Sequence, residues 1–235
     1  MLIASCYLPA GPTSPQGLTV DEHALLGAPT LDPLVFKPAE GSMDGVLAAS
    51  AAGRTQGFPD NSLLLDGRFS LQTTLGEDTL TATENYNRDS SAGWVTLKRN
   101  DWDIYRIDTG MGSPVTALRG LWTSDDHWVL ETAYITPDSI GGRIVRDGIL
   151  LNQALGYKDA FGFQLIAGRP FYFFVKDGRV GFSYDGRETR AGYTELPHYG
   201  CCSASELNPR QAQNLVAFFA RRDGTWYYVE ISASS

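Results

Sequence analysis

From about residue 61 onward, apolar and polar residues alternate in short runs that end at tight-turn dipeptides. In RVGFSY, Val180, Phe182 and Tyr184 alternate with Arg179, Gly181 and Ser183. Successive side chains of a strand point to opposite faces, so a period of two predicts a strand with one buried face. The same pattern predicts strands over RFSLQTTL (68–75), TLTATENY (79–86), GWVTLK (93–98), WDIYRI (102–107), PVTALRGLW (114–122) and HWVLETAYI (127–135). Further on it predicts strands over FGFQLIAG (161–168), RETRAGY (187–193), VAFFA (216–220) and TWYYVEI (225–231). RPFYFFV (169–175) is apolar on both faces, as expected of a central strand covered on both sides. Asp-Gly pairs at 66–67, 147–148, 177–178, 185–186 and 223–224 punctuate these runs. Asp and Gly tolerate the positive φ that two-residue hairpins require, so each pair predicts a hairpin turn. The one helix-like stretch in this region is LNQALGYKDAF (151–161).

The first 60 residues are different. They hold seven of the 12 prolines and three of the 27 aromatics, so they predict an irregular tether or arm, residues 1–60, beside an all-β domain, residues 61–235. Two short helices are expected within the arm. Thr19 and Glu22 have capping-box spacing ahead of Ala24-Leu25-Leu26 and a stop at Gly27. Asp44 is placed to cap a helix over Gly45 to Ala52. Removal of residues 7–40 is expected to leave the β-domain folded. For the domain itself, the short hairpins predict an antiparallel all-β sandwich or meander. A small β-propeller is the alternative, because residues 160–190 read as one four-stranded blade.

Composition narrows the function classes. Nineteen Lys and Arg stand against 27 Asp and Glu, a net charge of −8. An acidic chain without a basic stripe is a poor nucleic-acid binder, because phosphate neutralisation dominates that affinity. No apolar run approaches the roughly 20 residues of a membrane-spanning helix.

The chain begins MLIASC, and Ile3-Ala4-Ser5-Cys6 resembles the lipobox of bacterial lipoproteins: an aliphatic residue, two small residues, then cysteine. The resemblance implies that Cys6 carries lipid, that the domain is extracytoplasmic and membrane-anchored, and that the Pro-rich stretch is its stand-off. The C-terminal third, about 157–231, with GYKDAFGFQLIAGRPFYFFVKDGRVGFSYDG, HYGCC and WYYVEI, is similar to segments of uncharacterised exported bacterial all-β proteins. In an oxidising compartment unpaired thiols tend to oxidise. With Cys6 lipidated, Cys201 and Cys202 have only each other, which raises a vicinal disulfide against two reduced thiols. The bond is geometrically demanding, since disulfides prefer Cα atoms about 5.5–6 Å apart.

No pattern in the sequence carries a known chemistry. The histidines, at 23, 127 and 198, have no metal-type spacing, and neither a metal nor another cofactor is expected. Asn85, Asn87 and Asp89 alternate as in a calcium loop, but the central Gly and the terminal Glu are missing. GFSYDG is not a nucleophile elbow. Sixteen of the 27 aromatics lie between Tyr157 and Tyr228. Core filling accounts for the Phe residues. Tyr157, Tyr184, Tyr193 and Tyr199, with His198, are candidates for a ligand-stacking surface. The function expected is a non-enzymatic binding or accessory domain that recognises an envelope protein or a glycan. The alternative is an exported, carboxylate-dependent hydrolase of glycosidase type, which requires two convergent acids with perturbed pKa values in a cleft.

Overall fold

The computed structural model describes residues 17–27, 61–112, 116–199, 208–212 and 214–234. The first strands are β1 (Leu18–Ala24), β2 (Ser62–Leu65), β3 (Arg68–Leu75), β4 (Asp78–Tyr86), β5 (Gly93–Arg99) and β6 (Trp102–Gly110). They are followed by β7 (Leu118–Ser124), β8 (His127–Ile135), β9 (Ile140–Arg146) and β10 (Ile149–Leu150), then by α1 (Leu151–Leu155). The C-terminal part holds β11 (Asp159–Ile166), β12 (Arg169–Lys176), β13 (Arg179–Tyr184), β14 (Arg187–Tyr193), β15 (Arg210–Ala212), β16 (Leu215–Arg222) and β17 (Thr225–Ala233). All five Asp-Gly pairs are hairpin turns with positive φ at both residues, for example 53° at Asp177 and 70° at Gly178.

The described residues form three sheets. One runs β1-β17-β16-β15, a second β11-β12-β13-β14, and the largest β10-β9-β8-β6-β5-β4-β3-β2, with β7 on β8. Pairing is antiparallel except where Gly110 of β6 meets Ile135 of β8. The β11–β14 sheet is the middle layer. One face packs Phe161, Phe171, Phe173 and Phe182 against Val216, Phe218, Val229 and Ile231 of the β1-β17-β16-β15 sheet. Its other face packs Phe163, Tyr172 and Phe174 against Val129 and Ile144 of the large sheet. Burial of both faces explains why RPFYFFV lacks a polar side. Each fully buried Phe is worth about 1.5–3 kcal/mol, so this layer is a main source of stability. The large sheet folds over on itself. Leu71, Leu80, Val95 and Leu97 of β3–β5 pack against Leu118, Leu121, Leu130 and Val145 of β7–β9. The architecture is therefore all-β, of packed antiparallel meanders, and a nine-strand sheet does not divide into equal four-stranded blades. The blade-like run at 160–190 is the β11–β14 meander.

Two local expectations are corrected. Thr19–Leu26 is not a helix. Its first residues belong to β1, which pairs with β17 from Leu18↔Ala233 to Ala24↔Tyr227. Leu18, Val20 and Glu22 turn inward and Thr19, Asp21 and His23 outward, so the ladder overrides the local capping pattern. Residues 18–24 are thus part of a sheet, and the boundary drawn at residue 60 does not hold for them. The helix predicted over 151–161 stops after Leu155. Gly156 adopts φ 71°, the Tyr157 N–H returns to the Asn152 carbonyl at 2.9 Å, and Asp159 begins β11. The helix expected after Asp44 lies outside the described residues.

Candidate functional site

Two regions gather polar side chains beyond what strand alternation needs. The first is the face of β3–β6 that looks away from the core. The cross-strand register aligns Ser70, Thr83, Thr96 and Arg106 in one row, and Arg68, Asn85 and Trp94 in the next. The twisted sheet forms an open trough of ≈ 600 Å³ there. Hydroxyls of Thr79, Thr81, Thr83 and Thr96 and amides of Gln72, Asn85 and Asn100 line it. Among the described residues its charged groups are Arg68 and Lys98 with Asp66, Asp101 and Asp103, and Leu65 is its one apolar residue. Donors and acceptors are already oriented. Arg68 Nη1 donates to Asn85 Oδ1 at 2.8 Å, Ser70 Oγ to Thr83 Oγ1 at 3.0 Å, and Gln72 Nε2 to Thr81 Oγ1 at 3.2 Å. Trp94 stands beside the trough, with the Arg106 guanidinium 4.5 Å from its ring centre.

The second region is a buried carboxylate cluster behind a groove. In β11, Phe161 pairs with Phe173 and Gln164 with Phe171, so Gly162 and Phe163 together face Tyr172 in a bulge. Gly162 sits at φ 68°, which a Cβ disfavours. The two N–H groups turn to Glu131 of β8: Gly162 donates to Oε1 at 2.9 Å and Phe163 to Oε2 at 2.7 Å. The Tyr199 hydroxyl donates to the same Oε1. Glu84 of β4 accepts from the Ala117 N–H at 2.6 Å and from the Tyr86 hydroxyl. Burial pushes both carboxyls above the usual glutamate range, against the pull of these donors and of Arg119. Arg119 lies 4.4 Å from the Tyr199 ring centre, and its Nε and Nη2 have no hydrogen-bond partner among the described residues.

His198 borders this cluster. Its ring stacks on Phe161 at 3.4 Å between centroids, Nδ1 lies 2.8 Å from the Leu196 carbonyl oxygen, and Nε2 lies 3.2 Å from Asp159 Oδ2. Both ring nitrogens face oxygen, so neither is left open toward a substrate or a metal. Asp159 also accepts from the Gly142 N–H at 2.6 Å. His198 and Tyr199 line a groove of ≈ 600 Å³ with Met111, Ile135, Thr136 and Ser139. Tyr199 has φ +54°, an uncommon value for an aromatic residue. Among the described residues no three His, Cys, Asp or Glu converge as a metal ion would need.

Of the five candidate ligand-binding residues, the structure brings only His198 and Tyr199 to a groove. Tyr157, Tyr184 and Tyr193 are buried, so the stacking surface expected of them is not formed. Their hydroxyls explain why they look amphipathic in sequence: each is satisfied internally. Tyr157 donates to Glu188 at 2.9 Å, Tyr184 to the Ile166 carbonyl at 3.3 Å, and Tyr193 to Glu22. Burial and the neighbouring carboxylates raise the phenol pKa of Tyr157 and Tyr193. Glu84, Arg119 and Glu131 went unread in the sequence, since a single charged letter inside an apolar strand does not reveal its partners. Cys6, Cys201 and Cys202 lie outside the described residues. Comparison with protein-family models, with curated proteins and with solved structures gives no match.

Proposed function

We propose that the chain is a non-enzymatic binding module whose β3–β6 face recognises a glycan. The observation that carries this reading is the composition of the trough. A merely solvated sheet face needs no depression and favours long charged side chains. Here short hydroxyls and amides outnumber the charged groups around a space large enough for a small ligand. Sugar hydroxyls both donate and accept, as do the Thr side chains, while each amide pairs one donor group with one acceptor. The hydrolase alternative would draw on Glu84 and Glu131. Their oxygens already accept two and three internal hydrogen bonds, which ties strands together and leaves little capacity for proton transfer.

In the same proposal the domain is extracytoplasmic, held to the membrane through lipid on Cys6, with Cys201 and Cys202 joined as a structural vicinal disulfide. The lipobox-like start supports the anchor. The export reading supports the disulfide. An envelope protein is the other partner this placement admits, and nucleic acid is disfavoured by the net charge of −8. Binding of immobilised glycans by the wild type and by Gln72→Ala and Thr81→Val tests the central reading. Both variants should fold and bind several-fold more weakly, and full binding by both would refute it. Fatty-acid labelling that persists in Cys6→Ser would remove the anchor. Two alkylatable thiols at 201 and 202 in unreduced protein would remove the disulfide.

A further inference from the structure

The edge strand of the middle sheet carries a second, chemically different cavity. β14 pairs with β13 through a wide irregularity: Val180 faces Tyr193 and Phe182 faces Thr189, so Gly181 alone stands opposite Arg190, Ala191 and Gly192. Bulges of this kind bend an edge strand and re-aim its side chains. Gly181 is required here, because a Cβ would lie 2.6 Å from the Thr189 carbonyl oxygen and 2.7 Å from the tip of the Phe174 ring. The strand bows away and leaves a cavity of ≈ 180 Å³. Phe174 and Gly181 form an apolar floor, and Lys176, Arg179 and Arg190 stand at the rim with Asp177.

The three cations are not equivalent. Lys176 lies 3.3 Å from Glu188. Arg179 lies 3.7 Å from Asp223 and donates to the Gly192 carbonyl at 3.1 Å. Arg190 is exposed and makes no ion pair among the described residues. A free guanidinium above an apolar floor is selective in a chain of net charge −8. An apolar cavity of about 150 Å³ accommodates one benzene ring, so the body that fits is a single ring or a branched aliphatic group. A guanidinium pairs a planar carboxylate through two parallel N–H donors. We propose that this cavity binds a small amphipathic carboxylate, its apolar body on the Phe174 ring over Gly181 and its carboxylate on Arg190. This site is separate from the β3–β6 trough, and its test does not depend on glycan binding.

The test is a titration of the ¹⁵N-labelled full chain with benzoate, with neutral benzamide as the matched control. Benzoate should give saturable shifts centred on the amides of Phe174, Val180 and Gly181. Arg190→Gln, with an unchanged melting temperature, should weaken benzoate about fivefold to tenfold and leave benzamide unaffected. Benzoate that does not saturate, binds Arg190→Gln equally or shifts amides elsewhere overturns the proposal. Equal binding of benzamide by the wild type does so too. Tighter binding of a short peptide ending in a Phe carboxylate would overturn it in favour of a protein terminus as the occupant.

Discussion

Replacing Glu22 with Ala tests whether the N-terminal strand is part of the fold. Glu22 sits in β1, and its carboxylate accepts from Arg222 Nη1 at 3.1 Å and Nη2 at 2.7 Å. The side chains are 14% and 8% exposed. Tyr193 donates its hydroxyl to the same carboxylate, and the Arg222 guanidinium lies 4.5 Å from the Tyr227 ring centre. Glu22→Ala leaves a buried guanidinium without its counter-ion and a buried phenol without its acceptor. Removing one partner of such a pair costs about 3–5 kcal/mol. For a chain of this size each kcal/mol lowers the melting temperature by roughly 2–4 °C, so the expected drop is roughly 6–20 °C. Thermal unfolding followed by circular dichroism reads it, with urea denaturation as a second measure. The double variant Glu22→Leu/Arg222→Met removes both charges and fills the space with apolar groups. It should lie closer to wild type than Glu22→Ala does. A shift of about 2 °C or less for Glu22→Ala would refute the reasoning and return residues 18–24 to a loose arm.

Three further substitutions probe two buried carboxylates and one exposed turn. Glu131→Gln keeps one acceptor oxygen where the carboxylate uses two for Gly162 and Phe163, so one buried N–H loses its partner; urea unfolding should show a loss of about 1–3 kcal/mol. Burial holds the Glu84 carboxyl above its ordinary value of 4.5, so the folded chain binds that proton more tightly than the unfolded chain. Stability therefore falls as pH rises from about 4.5 through the folded pKa, and the free-energy difference between wild type and Glu84→Gln should decline over that window and stay flat below it. Ala167 holds φ +50° in the β11–β12 turn, so Ala167→Gly should raise stability by about 0.5–1 kcal/mol in the same denaturation assay.

Much of the fold was legible because turns and strand faces are local. Each Asp-Gly pair marks a hairpin by the φ values its residues tolerate, and RFSLQTTL and HWVLETAYI match β3 and β8 residue for residue. What failed depends on distant partners. The capping-box spacing at Thr19 is a true local signal, but β17 offers a seven-residue ladder that the sequence around Thr19 cannot reveal. Ile140–Arg146 went unread because Gly141 and Gly142 interrupt the alternation, although β8 pairs with it throughout. The site was legible in part. His198 and Tyr199 were singled out and do meet at a groove, whereas Tyr157, Tyr184 and Tyr193 carry the same amphipathic chemistry inward. The polar trough was visible only as alternate residues in TLTATENY and GWVTLK. Its rows exist through cross-strand register, which no single strand encodes.

The central claim is that the β3–β6 face binds a glycan, and mapping that contact on the folded chain tests it most directly. ¹⁵N-labelled protein, titrated with the oligosaccharide that binds best on an immobilised panel, should show saturable shifts at Gln72, Thr81, Thr83, Asn85 and Thr96. Those shifts should fade in Thr81→Val. Saturable binding that perturbs only the His198–Tyr199 groove, or no binding to any glycan of the panel, would contradict the account.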